Sequence, residues 1–281
     1  MSRPLITFSS DFGLDDWFVG VVHGVIFERC PEARVIDLTH QIPPGDLERA
    51  AFVVEAATPD FPVDTVHLVV VDPGVGTGRR ALAVRSRGHL FVGPDNGVFE
   101  WALGGPDVDA REITESTLFR SPLSQTFHGR DVFAPVAAAL ADGFPLSKVG
   151  PPVRDPVRLP GLAPRRSDGE LIGRVVHVDR FGNVLTNVTE RDLADGFVSV
   201  PPGRLEVEAG GRIIRGLSHS YGEAAIGQLL ALVGSSGRLE IAQVGGDASH
   251  RLGLGVRDEV RIRVGAAHGA SRDAGRARFE R

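Results

Sequence analysis

Up to residue 152 the apolar positions come in two alternating textures. Short, nearly unbroken runs rich in Val, Ile and Leu ("LITFSSD", "ARVIDLTH", "TVHLVVVD") are separated by segments such as "DDWFVGVVHGVIFERC", "PGDLERAAFVVEAATPDF" and "GRDVFAPVAAALADG". Continuous apolar runs suit strands buried on both faces, and apolar residues three and four apart suit the helices that cover them. Their alternation predicts an α/β domain with a mostly parallel sheet and helices on both faces. Two strand-like runs, "ALAVRSRG" and "LFVGPD", follow one another with no helix between, so part of the sheet is expected to be antiparallel. A short helix is predicted from about residue 97 to 103. Asp15 and Asp16 read as first-turn charges of the first helix, and Pro44 as the start signal of the second.

The rhythm breaks over residues 153–169, a Pro-rich stretch that reads as a linker. From 170 to 265 the pattern is short alternation between Gly-containing turns, as in "RLEVEAGGRIIRGLS" and "LLALVGSSGRLEIAQV". That predicts a smaller all-β domain, barrel-like or sandwich-like. Residues 266–281 carry no periodic apolar face and are expected to be a disordered tail.

Composition narrows the classes of partner. A net charge of −5 argues against binding nucleic acid through phosphate neutralisation. No apolar run approaches the roughly 20 residues needed to span a bilayer. The N-terminus passes straight into a strand pattern without a signal peptide, so a cytoplasmic location is expected. The single cysteine, Cys30, excludes an intrachain disulfide and a Cys-based zinc site, and reads as a small buried side chain at a helix end.

Candidate chemistry sits at the ends of the predicted strands. Asp11 in "FSSDFG" lies where open α/β sheets bind ligands, and a carboxylate there suits the two hydroxyls of a ribose; the alternative is a helix cap. "VVVDPGVGTGRR" looks like a phosphate loop, but it begins with Asp72, lacks Gly-Lys-Ser/Thr and leads into a strand. It reads instead as a turn that brings backbone close to a ligand, with Asp72 and Arg79 as its polar groups, or as a turn with a surface ion pair. His128 in "TFHGRDVFAP" precedes a helix, whose dipole favours a neutral imidazole suited to act as a base; a cap or a satisfied core histidine is the alternative. Arg130 and Asp131 read as structural, and Asp95 and Asn96 as caps. In "VDRFGNVLTN", Asp179, Phe181 and Asn183 bracket a glycine and offer a carboxylate, a stacking ring and an amide. Tyr221, the only tyrosine, adds a second stacking surface, and "GSSGRLEIA" adds Ser235, Ser236 and Glu240.

In this order, "SSDFG", "DPGVGTGRR", "TFHGRDVFAP", "DRFGNVLTN" and "SSGRLEIA" resemble the S-adenosyl-L-methionine (SAM) hydroxide adenosyltransferase family, the SAM hydrolases, relatives of the SAM-dependent fluorinase and chlorinase. The resemblance runs from about residue 5 to 264. It implies an N-terminal α/β domain, a C-terminal β domain and a homotrimer with ligand sites at subunit interfaces. It places the family's catalytic Asp-Arg-His set on Asp72, Arg79 and His128, and the ribose diol on Asp11. Asn183 and Tyr221 would hold adenine with Phe181 nearby. Asp179, Ser235 and Glu240 would take the methionine end, and Ala242 lies on the stretch lining adenine. No metal site and no cofactor are implied, SAM being the substrate.

The implied reaction is hydrolysis of SAM to adenosine and L-methionine by in-line attack of an activated water on C5′, with the proton acceptor left open between Asp72 and His128. Two alternatives are halide-dependent adenosyl transfer and a catalytically silent SAM or adenosine sensor. Against halide, the fluorinase carries a serine where this chain has Gly129, a tyrosine where it has Asp72 and no counterpart of Arg79. Its tryptophan near adenosine is Gly45 here.

Overall fold

The structure, a computed structural model, describes residues 3–265. The tail expected over 266–281 lies outside the described residues. The chain divides into two compact units between Leu162 and Ala163.

The first unit contains β1 (Leu5–Ser10), α1 (Phe18–Arg29), β2 (Arg34–Thr39), α2 (Leu47–Ala57) and β3 (Val66–Val70). It continues through β4 (Ala81–Ser86), β5 (His89–Pro94), α3 (Glu100–Leu103), β6 (Asp109–Glu112) and α4 (Ala134–Ala141). The strands form one sheet in the order β2-β1-β3-β5-β4-β6. The first four are parallel, and β4 runs antiparallel to both β5 and β6. The mixed sheet expected from the helix-free pair is therefore present. β6, "DARE", was not legible because an edge strand with one buried residue shows no apolar run.

Both faces of the sheet are covered. On one, Phe8, Leu68 and Val92 pack with Val22 and Ile26 of α1 and Val136 of α4. On the other, Val69, Val84 and Phe91 meet Ala50 and Val54 of α2 and Phe99 beside α3. Cys30 is 2% exposed at the end of α1, as expected.

Local chemistry shifts two helix starts. α1 begins at Phe18 and has no acidic residue in its first turn. Gly13 is left-handed (φ 69°) and its N–H is bound by the His40 carbonyl at 2.8 Å, so the chain turns sharply after β1 and Asp15 and Asp16 stay in an exposed loop. α2 is capped by Asp46, whose Oδ1 accepts from the Arg49 N–H at 3.0 Å. The Pro-rich stretch does not run free: the N–H of Val153 reaches the Ala110 carbonyl, that of Val157 reaches Asp95, and Arg158 pairs with Glu100.

The second unit begins with β7 (Arg165–Ser167), β8 (Glu170–Val178), β9 (Val184–Thr189), α5 (Glu190–Gly196), β10 (Leu205–Ala209) and β11 (Arg212–Arg215). β12 (Leu229–Val233), β13 (Arg238–Gln243), α6 (Ala248–Leu252) and β14 (Glu259–Val264) complete it. The antiparallel sheet runs β11-β10-β14-β8-β9-β13-β12, with β7 on β8. A bridge between Ser218 and Leu232 brings its two ends near each other, giving a nearly closed barrel around Val175, Val207, Leu239 and Ile262. α5 was missed although its start is written in the sequence. Thr189 and Asp192 form a reciprocal capping box that interrupts an otherwise all-β texture. Among the described residues, no helix is long and apolar enough to cross a membrane.

The first unit buries an unusual polar group at its centre. His67 on β3 is 2% exposed, with Nδ1 2.8 Å from Thr7 Oγ1 and Nε2 3.3 Å from His89 Nδ1, and its ring stacks on Phe91. Burial, with a smaller push from His89, lowers its pKa to about 3. Above pH ~6.5 the ring is neutral both folded and unfolded and exerts no pH dependence. As pH falls below that value the unfolded chain binds a proton that the folded chain refuses, so stability declines until about pH 3. Urea midpoints measured from pH 7 to pH 4 should fall for the wild type and fall less steeply for His67→Gln. Equal slopes would place the acid sensitivity on other groups.

Candidate active site

The first cluster stands at the carboxyl ends of β1 and β3, the edge of a parallel sheet where backbone geometry leaves an open crevice. Asp11 follows β1 directly, and Asp72 lies two residues beyond β3. The Gly-rich loop after Asp72 is held by a close backbone approach. At Gly76 (φ 77°) an added Cβ would lie 2.5 Å from the Gln125 carbonyl oxygen, so only glycine lets this loop press against the segment leading to His128.

That approach brings three polar side chains into one chain. Arg79 Nε donates to Asp72 Oδ1 at 2.9 Å, and its Nη2 makes a short contact with Asp72 Oδ2. The same Nη2 lies 2.9 Å from His128 Nδ1. The ion pair is largely withdrawn from solvent, with side-chain exposures of 12% for Arg79 and 6% for Asp72. The guanidinium also sits over the Phe133 ring, 5.1 Å from its centroid. The surface ion pair that sequence allowed for this loop is thus a half-buried bidentate fork.

A guanidinium has donors only, so His128 Nδ1 must accept and its proton resides on Nε2. Burial first, and then the Arg79 charge, hold the imidazole pKa below its ordinary value and keep the ring neutral. His128 Nε2 is buried and has no partner among the described residues, so its N–H donor is left open. In this arrangement the accepting nitrogen of His128 is engaged by Arg79, and what the ring presents is a donor. It does stand at the start of a helical segment, a π-turn over Gly129–Phe133 that runs into α4.

Asp11 is not the cap of α1, whose N-cap is Trp17 without a side-chain bond. Its Oδ2 accepts from the Gly45 N–H at 2.8 Å. Burial, opposed by backbone hydrogen bonds and aided by repulsion from Asp72, raises its pKa, so the two carboxylates feel one another. The loop bearing Gly45 also packs here, since a Cβ at Gly45 would lie 3.6 Å from Pro73 Cβ.

Neighbouring residues fasten this arrangement. Asp95 and Asn96 do not cap α3, which starts after Phe99 with no side-chain cap. Asp95 instead accepts from Arg80 Nε at 2.8 Å, and Asn96 Nδ2 donates to the Val71 carbonyl at 2.9 Å, one residue before Asp72. Arg130 and Asp131 pair with each other, and Asp131 accepts from the Ser124 N–H, which fits a structural role.

A second cluster occupies the second unit. Asp179 closes the β8–β9 loop: its Oδ1 accepts from the N–H groups of Phe181 and Asn183, and its Oδ2 from Asn183 Nδ2 at 2.9 Å. At Gly182 (φ 81°) a Cβ would lie 2.2 Å from Asp247 Cγ, which explains the glycine between the aromatic and the amide. The turn presents Phe181 outward, 77% exposed. Tyr221 donates its hydroxyl to Glu240 Oε1 at 2.5 Å. Burial and the Glu240 carboxylate push the phenol up to about 12, so it stays a donor. Burial also raises Glu240, with Asp179 repelling it from nearby. Ser235 is exposed, whereas the neighbouring Ser236 has a buried Oγ without a partner. Sequence could not choose between adjacent serines in a turn. Ala242 is 1% exposed on β13, among Leu230 and Leu232. Among the described residues, no group of three His, Cys, Asp or Glu side chains is placed to hold a metal ion.

Comparison with known proteins agrees across the chain. Residues 6–150 match the model of the SAM hydroxide adenosyltransferase N-terminal domain, and residues 173–261 that of its C-terminal domain. A protein of Salinispora tropica named (R)-S-adenosyl-L-methionine hydrolase is 43% identical over 93% of this chain and 98% of its own. A fluorinase of Nocardia brasiliensis is 28% identical over 94% of this chain and 98% of its own. The crystal structure of an uncharacterized conserved protein from Thermotoga maritima superposes with a TM-score of 0.86 at 39% identity, covering 92% of this chain and 99% of that one. The chain therefore belongs to the SAM hydroxide adenosyltransferase family.

Proposed function

We propose that the protein hydrolyses S-adenosyl-L-methionine to adenosine and L-methionine by in-line attack of water on C5′. The observation that carries the proposal is the half-buried Asp72–Arg79–His128 chain, whose Nε2–H has no partner among the described residues. In the reaction the water oxygen forms a bond to C5′ while the C5′–S bond breaks. The electron pair goes to sulfur, turning the sulfonium into the neutral thioether of methionine. The leaving group already carries its positive charge, so no general acid is required. The burden falls on the nucleophile, because bulk water has a pKa of about 15.7.

Each of the three side chains has a part that its bonding leaves available. His128 Nε2–H donates to a water lone pair and fixes the oxygen. Arg79 places positive charge beside the oxygen as negative charge develops there. Asp72 is the one member with spare acceptor capacity, since a carboxylate offers about four lone-pair sites and Arg79 occupies two. We assign it the proton. Alignment of water with C5′ can supply on the order of 7 kcal/mol of the barrier.

Asp11, still able to accept beside its bond to Gly45, is assigned to the ribose hydroxyls. Asn183, Phe181, Tyr221 and Ala242 are assigned to adenine, and Asp179, Ser235 and Glu240 to the methionine end. No cofactor enters this reading; SAM is the substrate. The resemblance to the family further supports a homotrimer in which two subunits complete each site.

Water is favoured over halide by the space at Gly129. A Cβ there would lie 3.1 Å from Val70 Cγ1 and 3.3 Å from Phe12 Cζ, tighter than ordinary contact, so the serine that the fluorinase uses for halide would require these side chains to give by a few tenths of an ångström. Asp72 would in addition repel an anion in a site screened from water. Incubation with SAM followed by chromatography should yield adenosine and methionine at equal rates with and without chloride. Chloride-dependent 5′-chloro-5′-deoxyadenosine would overturn the assignment.

Asp72→Asn should lower kcat by about 100-fold or more while SAM affinity changes little, because the carboxylate handles water rather than the nucleoside. A parallel loss of affinity would make Asp72 a binding residue. The shared site gives a complementation test. His128→Ala and Asn183→Ala proteins, each inactive alone, should regain partial activity when mixed under conditions of verified subunit exchange. No recovery would place every site within one chain.

A further inference from the structure

Ser10, Asp37 and His40 take no part in the chemistry above, yet they form a polar chain that ends on the loop carrying Asp11. We propose that His40 is a positioning residue for the Asp11 carboxylate, acting through Ser10. The proposal rests on the reading of Asp11 as the ribose ligand.

His40 follows β2 and is 3% exposed, with its ring edge-on to Phe8 at 4.6 Å. Its Nδ1 lies 2.7 Å from Ser10 Oγ, and Ser10 is fully buried. Ser10 Oγ in turn accepts from the Phe12 N–H at 3.3 Å, while the His40 carbonyl accepts from the Gly13 N–H at 2.8 Å. The two amides that follow Asp11 are therefore both tied to the Ser10–His40 pair. On the far side of His40, Asp37 Oδ1 lies 3.1 Å from Nε2, angled off the N–H axis, and 2.8 Å from His23 Nε2.

These contacts have one consistent direction. Burial keeps the His40 ring neutral. The Asp37 carboxylate draws the single ring proton to Nε2, which leaves Nδ1 as an acceptor. The Ser10 hydroxyl then donates to Nδ1, and its own lone pair is free for the Phe12 N–H. A Ser-His-Asp set suggests a nucleophile, but this serine has no exposure and its oxygen already accepts a backbone amide. Its product is geometry. The loop that holds the Gly13 amide, two residues after Asp11, through His40 also holds the Asp11 carboxylate through Gly45, so one segment grips both the side chain and the backbone that follows it. A carboxylate must be oriented to meet two vicinal hydroxyls at once, which makes ribose recognition sensitive to that grip.

The test measures binding of adenosine and 2′,3′-dideoxyadenosine to the full-length protein by calorimetry, for wild type, Asp11→Ala, His40→Phe, His40→Asn and Ser10→Ala. Asp11→Ala should erase the preference for adenosine. His40→Phe and Ser10→Ala should each cut the preference by about tenfold, the scale of one hydrogen bond to a charged group, with dideoxyadenosine affinity unchanged. His40→Asn, whose side-chain oxygen can replace Nδ1 as acceptor, should restore most of it. If Asp11→Ala erases the preference but His40→Phe and Ser10→Ala do not, or if they weaken both ligands equally, the positioning role is overturned and the Asp11 reading stands. If Asp11→Ala leaves the preference intact, the ribose reading fails and the proposal with it. Should His40→Phe not fold, Ser10→Ala decides, since it removes one buried oxygen and no packing volume.

Discussion

One guanidinium organises the first unit's polar cluster. Arg79 spends its fork on both oxygens of Asp72 and turns a remaining N–H to His128. A lysine could not do this, because an ammonium is a point charge without a planar fork. The consequences are specific. Asp72 is held in one orientation, His128 is confined to one tautomer, and the ring proton is placed where no described residue accepts it. Leaving a buried donor unpaired ordinarily costs about 1–3 kcal/mol. In the proposed reaction that donor meets the attacking water, and unsatisfied polarity of this kind often marks functional positions.

The contact depends on backbone more than on the three side chains. Gly76 allows the Asp72 loop to meet the carbonyl of Gln125, and Asn96 anchors the Val71 carbonyl beside it. Arg80, the neighbour of Arg79, pairs with a buried Asp95 and ties the end of β5 to the strand before it. Adjacent arginines thus do different work, one toward the crevice and one toward the scaffold. Asp11 and Asp179 show the same division. Each is an acidic residue in a glycine-bearing loop, but Asp179 spends three of its acceptor sites on its own turn and keeps one, while Asp11 keeps more of its capacity for a group from outside.

Sequence determined the architecture where packing imposes a period. The buried runs of β1, β3 and β5 and the covering helices were legible because each must hide an apolar face, and the antiparallel β4–β5 pair because no crossover element separates it. Sequence also singled out Asp72, Arg79 and His128, which sit in motifs of unusual composition, and the fold brings the three together. Elements without an apolar period were lost: β6 is a polar edge, and α5 is announced only by its capping box. What tertiary structure alone decided is who bonds to whom. Arg79 and His128 are 49 positions apart, so nothing local could reveal that His128 Nδ1 accepts from the Arg79 guanidinium. Nor could it show that Asp95 is a scaffold ion, or that Ser10 is joined to His40 thirty positions away. Periodicity records what each segment must bury, whereas hydrogen-bond direction depends on partners that only folding brings within 3 Å.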